Sequence, residues 1–118
     1  MVSVVMPTYN RARVISRAIQ SVINQTLNEW ELVIIDDAST DDTPKVLSDW
    51  TEKDKRIKAF RNEKNNYPDI SKNLNYGIDV AKGKYIARLD DDDYWCDEKK
   101  IRKQVDFLES HPDYVVVG

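Results

Sequence analysis

The sequence predicts an α/β fold: a mainly parallel sheet covered by helices on both faces, in three α/β/α layers. Three observations carry this. Short apolar, β-rich runs alternate with stretches of helical periodicity along the 118 residues, an order that gives right-handed crossovers and parallel strands. The run Leu32-Val-Ile-Ile35 is continuous in apolar residues, as expected of a strand covered on both faces. Polar clusters follow the strands, at the rim where parallel sheets bind ligands.

Each element has its own signal. Val2-Ser-Val-Val-Met6, stopped by Pro7, reads as a buried strand. Residues 11–25 carry Val14, Ile15, Ala18, Ile19, Val22 and Ile23, a helical stripe. Strand 32–35 ends at Asp36-Asp37-Ala38-Ser39-Thr40-Asp41-Asp42. There Asp41 or Asp42 can cap a helix with Pro44 in its first turn and Val46, Leu47 and Trp50 inward. Residues 56–60 form a weaker, charged strand that belongs at a sheet edge. A helix with Ile70, Leu74, Ile78 and Ala81 on one face follows, with Gly83 in the C′ role. Strand 84–89 leads to the acidic run, and residues 97–110 form a helix with Ile101, Val105 and Leu108 inward. Residues 114–117 start a fifth strand, whose open apolar edge makes self-association an expectation.

The size suits one domain at most. Apolar residues at 41%, charged residues at 33% and a net charge of −3 describe a globular chain with no electrostatic reason to bind nucleic acid or an anionic membrane. The single cysteine, Cys96, rules out an internal disulfide and a cysteine-rich metal site. No apolar run approaches bilayer length and the N-terminus has no signal-peptide layout. The chain reads as cytoplasmic, with membrane association of a longer protein left open.

The densest chemistry is Asp90-Asp-Asp-Asp93, between an apolar-leaning strand and Tyr94-Trp95. Two aspartates about 6 Å apart repel by about 3 kcal/mol at an effective dielectric near 20. Partial burial would keep that cost, and a divalent cation such as Mg²⁺ or Mn²⁺ would remove it. An acidic run by itself is more often a solvated loop. Here two further clusters share its rim: Thr8-Tyr9-Asn10 after the first strand and Asp36-Asp37 after the second. A dinucleotide or P-loop site needs a glycine-rich turn after the first strand. The three glycines are Gly77, Gly83 and Gly118, none of them there. Phosphates would then be neutralised by a carboxylate-held metal. Asp36 or Asp37 could accept a base N–H or a ribose hydroxyl, or simply serve turn chemistry; Tyr9 could offer a stacking face.

Three blocks carry a resemblance: Val-Val-Met-Pro-Thr-Tyr-Asn-Arg at 4–11, Val-Ile-Ile-Asp-Asp-Ala-Ser-Thr-Asp at 33–41, and Ala-Lys-Gly-Lys-Tyr-Ile-Ala-Arg-Leu-Asp-Asp-Asp-Asp-Tyr-Trp at 81–95. In this order and spacing they resemble the N-terminal, nucleotide-sugar-binding half of a family 2 glycosyltransferase, across essentially the whole chain. The resemblance implies a Rossmann-like GT-A fold and an enzyme of cell-surface polysaccharide biosynthesis. It also implies a nucleotide-diphospho-sugar donor, a UDP-sugar foremost, and an acceptor glycan or lipid-linked sugar left unidentified. Transfer would depend on Mn²⁺ or Mg²⁺ and invert the anomeric carbon.

Carried over by position, Pro7 and Tyr9 would border the nucleobase, and Asp37 would bind its N–H with Asp36 beside it. Asp90 and Asp92 match the family's D-x-D acids. Asp91 would then lie by the ribose, and Asp92 would hold the metal at the diphosphate. Four acids in a row leave this register open by one residue. Arg11 reads as a phosphate contact or as a solvated helix-start arginine. The chain departs from many relatives at Asn66-Tyr67-Pro68, where they have a glycine, and at Leu74, where they have an arginine before the asparagine that Asn75 matches. The general base is expected beyond Gly118, so this stretch alone is not expected to transfer sugar. Two other readings are a non-catalytic nucleotide-binding module on the same scaffold and a receiver-type signalling domain. The second would need paired acids after the first strand, where Thr8-Tyr9-Asn10 stand instead.

Overall fold

The computed structural model describes residues 1–113. The strand expected at 114–117, with the self-association read from its edge, lies outside the described residues. Strands β1 (Val2–Thr8), β2 (Trp30–Asp36), β3 (Ile57–Arg61) and β4 (Tyr85–Arg88) alternate with helices α1 (Ile15–Ile23), α2 (Thr43–Lys53), α3 (Ser71–Val80) and α4 (Lys100–Ser110). The strands pair in parallel in the order β3-β2-β1-β4. The chain winds outward from β1 to β3 and then returns to place β4 on the other side of β1. The order thus reverses between β1 and β4, which opens a crevice beyond their C-terminal ends.

Strand alternation sorts the two faces. Val2, Val4, Met6, Leu32 and Ile34 meet Ile15, Ala18, Ile19 and Val22 of α1, Leu47 of α2 and Ile101 of α4 in the main core. Each fully buried Val, Leu, Ile or Met side chain among them contributes roughly 1.5–3 kcal/mol. The opposite face, with Val5 and Ile35, carries α3. β3 lies at the edge, as its charges predict. Lys58 pairs with Glu31 at 2.9 Å and Arg61 with Asp36 at 2.7 Å.

Two local expectations are corrected. The stripe Ile70, Leu74, Ile78, Ala81 predicts the inner face of α3, yet Ile70 and Ile78 are exposed and the buried residues are Asn73 and Gly77. A Cβ on Gly77 would overlap Val5 Cγ1 and touch Ile35 Cγ1 at 3.5 Å, so the helix lies on the sheet by its smallest residue. Gly83 is no left-handed cap, since among the described residues no glycine has a positive φ. It serves close approach instead: a Cβ would come within 2.7 Å of Met1 O, and its N–H donates to Ser3 Oγ at 2.8 Å.

Helix starts also differ. α1 begins at Ile15, leaving Val14 exposed, because residues 10–13 belong to the loop that meets the β2–α2 turn. α4 begins at Lys100, after Asp97 Oδ1 has turned the chain by accepting the Lys99 N–H at 2.9 Å. The Ile101 N–H is met by Gln25 Oε1 at 3.1 Å, a cap supplied from the end of α1. Among the described residues no helix is long and apolar enough to cross a membrane.

Candidate functional site

Two loops are tied together at the rim. Asn10 adopts a left-handed φ of 51°, which asparagine tolerates better than most residues. Its N–H donates to Ser39 Oγ at 2.9 Å, and its Oδ1 accepts the Thr40 N–H at 2.8 Å and the Asp41 N–H at 3.3 Å. The Arg11 N–H donates to Thr43 Oγ1 at 3.0 Å, and the Asp37 N–H to Thr8 O at 2.9 Å. The loop after β1 is therefore fixed against the turn after β2, with Tyr9 left 43% exposed and its ring available.

A cavity of about 430 Å³ opens at the crevice, lined by Pro7, Thr8, Tyr9, Asn10, Arg11, Asp37, Ile70, Asn73, Arg88, Asp90, Asp91 and Asp92. The topology thus brings together Pro7, Thr8, Tyr9, Asn10, Arg11, Asp37 and Asp90–Asp92, and leaves out Asp36 and Asp93. Asp36 is buried, ion-paired with Arg61 and accepting the Ser39 N–H at 3.0 Å. It lines a separate groove between α2 and β3. Asn73 and Arg88 line the site without having been singled out as site residues. For Arg88 the signal was available, because it pairs in register with Val5 and shares that residue's face.

The acidic run is not uniformly buried. Asp90, Asp92 and Asp93 are exposed, and Asp91 is half-buried. Burial pushes the Asp91 carboxyl above the ordinary range. The Thr8 hydroxyl, the Arg11 guanidinium and the Tyr9 N–H act the other way, and the Asp92 charge adds to the rise. Thr8 Oγ1 is itself buried and completes no hydrogen bond of good geometry, so it acts on Asp91 by proximity. Arg11 Nε stands 3.6 Å from Asp91 Oδ1, and Arg88 Nε 3.2 Å from Asp90 Oδ1. A second cavity of about 450 Å³ shares Asn10, Arg11 and Asp92 with the first.

Asp37 is held from the other side. Its Oδ1 accepts Asn62 Nδ2 and the Asn66 N–H, both at 2.9 Å, and its carbonyl accepts Asn65 Nδ2 at 3.0 Å. Asn73 Oδ1 accepts Asn62 Nδ2 at 2.7 Å and Asn66 Nδ2 at 2.9 Å. These amides lock the loop after β3 over the end of β2.

The donor set fits a hard divalent cation. It offers hard oxygens only: the exposed carboxyls of Asp90 and Asp92 beside half-buried Asp91, and a buried hydroxyl, Thr8 Oγ1, without a partner. Among the described residues no three His, Cys, Asp or Glu side chains converge to form a metal cage. An ion here would rest on one or two carboxylates and draw its remaining ligands from phosphate and water, the habit of Mg²⁺.

The family model for Glycosyl transferase family 2 matches residues 3–118. The chain belongs to glycosyl transferase family 2. It is 40% identical to EpsE of Bacillus subtilis (strain 168) over 118 residues, which cover 99% of this chain and 41% of EpsE. The structure of S. aureus TarS 1-349 in complex with UDP-GlcNAc superposes with a TM-score of 0.84 and 29% identity, over 94% of this chain and 32% of that one. The mannosyltransferase PcManGT from Pyrobaculum calidifontis, in complex with GDP-Man and Mn²⁺, gives a TM-score of 0.82 and 26% identity over 91% and 32% of the two chains. This family 2 chain thus has the GT-A architecture, and it spans less than half the length of the relatives it matches.

Proposed function

We propose that the chain forms the donor site of a glycosyltransferase that moves a sugar from a nucleoside-diphosphate sugar to an acceptor hydroxyl, with inversion and with Mn²⁺ or Mg²⁺. The observation that carries this is the convergence of Tyr9, Asp37 and Asp90–Asp92 on one cavity at the β1/β4 crevice. The nucleotide sugars bound by TarS and PcManGT support it.

In this reading Pro7 and Tyr9 border the base, Asp37 accepts its N–H, and Asp91 takes a ribose hydroxyl. Arg11 and Arg88 face the diphosphate. Asp92, shared by the two cavities, stands with Asp90 as the metal-holding pair. A bound divalent ion would supply Lewis-acid stabilisation of the leaving diphosphate. The bond from the anomeric carbon to the diphosphate breaks while the acceptor oxygen attacks from the opposite face, its proton passing to a general base. That base is not among the residues assigned here.

The test is calorimetry of UDP binding to the full chain with Mn²⁺ and with chelator, on the natural sequence and on Asp92→Ala. Binding should require the metal and be lost in the variant. Equal affinity with and without chelator would refute metal bridging.

A further inference from the structure

Asn73 is an odd residue for its place. It sits in the first turn of α3, is only 3% exposed, and yet lines the site cavity. A buried amide must be hydrogen-bonded to be tolerated, and half of this one is. Two side-chain amides donate to its Oδ1, Asn62 Nδ2 at 2.7 Å and Asn66 Nδ2 at 2.9 Å. That fixes the orientation of the group, since a flipped amide would set its own NH₂ against two donors. Nδ2 must then lie on the other side, where no described residue accepts from it. It is not sealed in either: the buried side-chain atoms left without a partner are Thr8 Oγ1 and Trp30 Nε1.

Asp37 is arranged in mirror fashion. The Asn62 NH₂ that donates to Asn73 also donates to Asp37 Oδ1, which takes the Asn66 N–H as well. Oδ2 of Asp37 accepts nothing from the described residues. One shared amide therefore couples a free acceptor, Asp37 Oδ2, to a free donor, Asn73 Nδ2, on residues that line one cavity.

We propose that Asn73 is a specificity-determining residue that reads the nucleobase together with Asp37, selecting a ring N–H next to a carbonyl. This rests on the donor-site reading above. The pattern is the N3–H and adjacent C=O of uracil, and the N1–H and C6=O edge of guanine shares it. Cytosine and adenine present the reverse, a bare ring nitrogen beside an amino group. They would set a lone pair against the carboxylate and leave two polar groups unpaired, which is how such sites reject analogues. The neighbouring amides Asn62, Asn65 and Asn66 already have partners, so they position the pair rather than read the base.

The experiment measures affinities of UDP, GDP, CDP and ADP for the full chain with Mn²⁺, for the natural sequence and for Asn73→Ala. UDP should bind at least tenfold tighter than CDP. Asn73→Ala should weaken UDP about tenfold, leave CDP unchanged and collapse the ratio. GDP sharing this sensitivity and matching UDP would assign the guanine edge to the same pair. A ligand-side arm needs no variant: 2-thio- and 4-thio-UDP weaken the ring acceptor, and one of them should bind several-fold less tightly than UDP. Equal weakening of UDP and CDP in Asn73→Ala would show a merely structural role and overturn the inference. So would indifference to both thio substitutions. If none of the four diphosphates binds the natural sequence, the donor-site reading fails and this inference falls with it.

Discussion

Replacing Gly77 by alanine should destabilise the protein although it removes a helix-interior glycine. At an ordinary helical site that exchange gains about 0.8–1 kcal/mol. Here the new Cβ would overlap Val5 Cγ1, on a side chain with no solvent exposure whose β-branch leaves χ1 little room to turn. Overpacking of this kind costs about 1–3 kcal/mol, and the buried, stiff neighbour argues for the upper half of that range. The net loss is about 1–2 kcal/mol, or about 4–8 °C in Tm for a chain of this size. Asp79, exposed on the same helix and without a partner among the described residues, is the control: Asp79→Ala should hold or raise Tm. Thermal melts followed by circular dichroism decide the matter. If Gly77→Ala melts at or above the natural sequence, α3 does not lie on β1 as described. The variant should also weaken UDP, because Asn73 rides one turn away on the same face.

Two more expectations follow from the buried Ser3–Glu31 pair and from Asp36. Burial raises the Glu31 carboxyl, but the Ser3 hydroxyl and the Lys82 N–H, both at 2.5 Å, and Lys58 at 2.9 Å outweigh it and hold Glu31 below the ordinary range. A depressed folded-state value gives stability that is present above the unfolded value near about 4.3 and is lost as pH falls through the folded one. Ser3→Ala should therefore cost about 1.5–3 kcal/mol near neutrality, and its gap from the natural sequence in urea midpoint should close towards pH 3. A gap independent of pH would deny Ser3 that role. Asp36→Ala should lower stability by about 1–3 kcal/mol, through the lost Arg61 and Ser39 partners, while UDP affinity stays near that of the natural sequence. A large loss of UDP affinity without loss of stability would return Asp36 to the nucleotide.

The strands were legible because their signal is redundant. β2 is buried at every position, so neither a shift of register nor an error of one residue at either end changes the reading. Helix starts were not, because long-range hydrogen bonds decide them. Arg11 and Ala12 look like a first helical turn, but their N–H groups go to Thr43 and Asp41. The inner face of α3 misled for another reason. Periodicity counts large apolar residues, and where a helix presses closely on a sheet the glycine marks the contact, with the isoleucines displaced to the flanks.

The same geometry explains what could be read of the site. Polar clusters after parallel strands had to share a rim, so Tyr9, Asp37 and the acidic run were recoverable from topology alone. Asp36 and Asp37 could have been separated too. Successive residues of a strand face opposite sides. Asp36 is in phase with Leu32 and Ile34, which meet α1 and α2, whereas Asp37 is in phase with Ile35, on the α3 face. Asn73 had no such signal as a single residue, since an asparagine within a helix is usually solvated. What distinguishes it is its place four residues before Gly77. The glycine draws α3 onto the sheet, and the residue one turn earlier on that face is carried down beside Asp37, where a polar side chain has to be answered by hydrogen bonds. Three asparagines in the loop after β3, Asn62, Asn65 and Asn66, answer either Asn73 or Asp37. A buried amide and a loop rich in the same residue are a matched pair in the sequence, joined by one close-packing glycine.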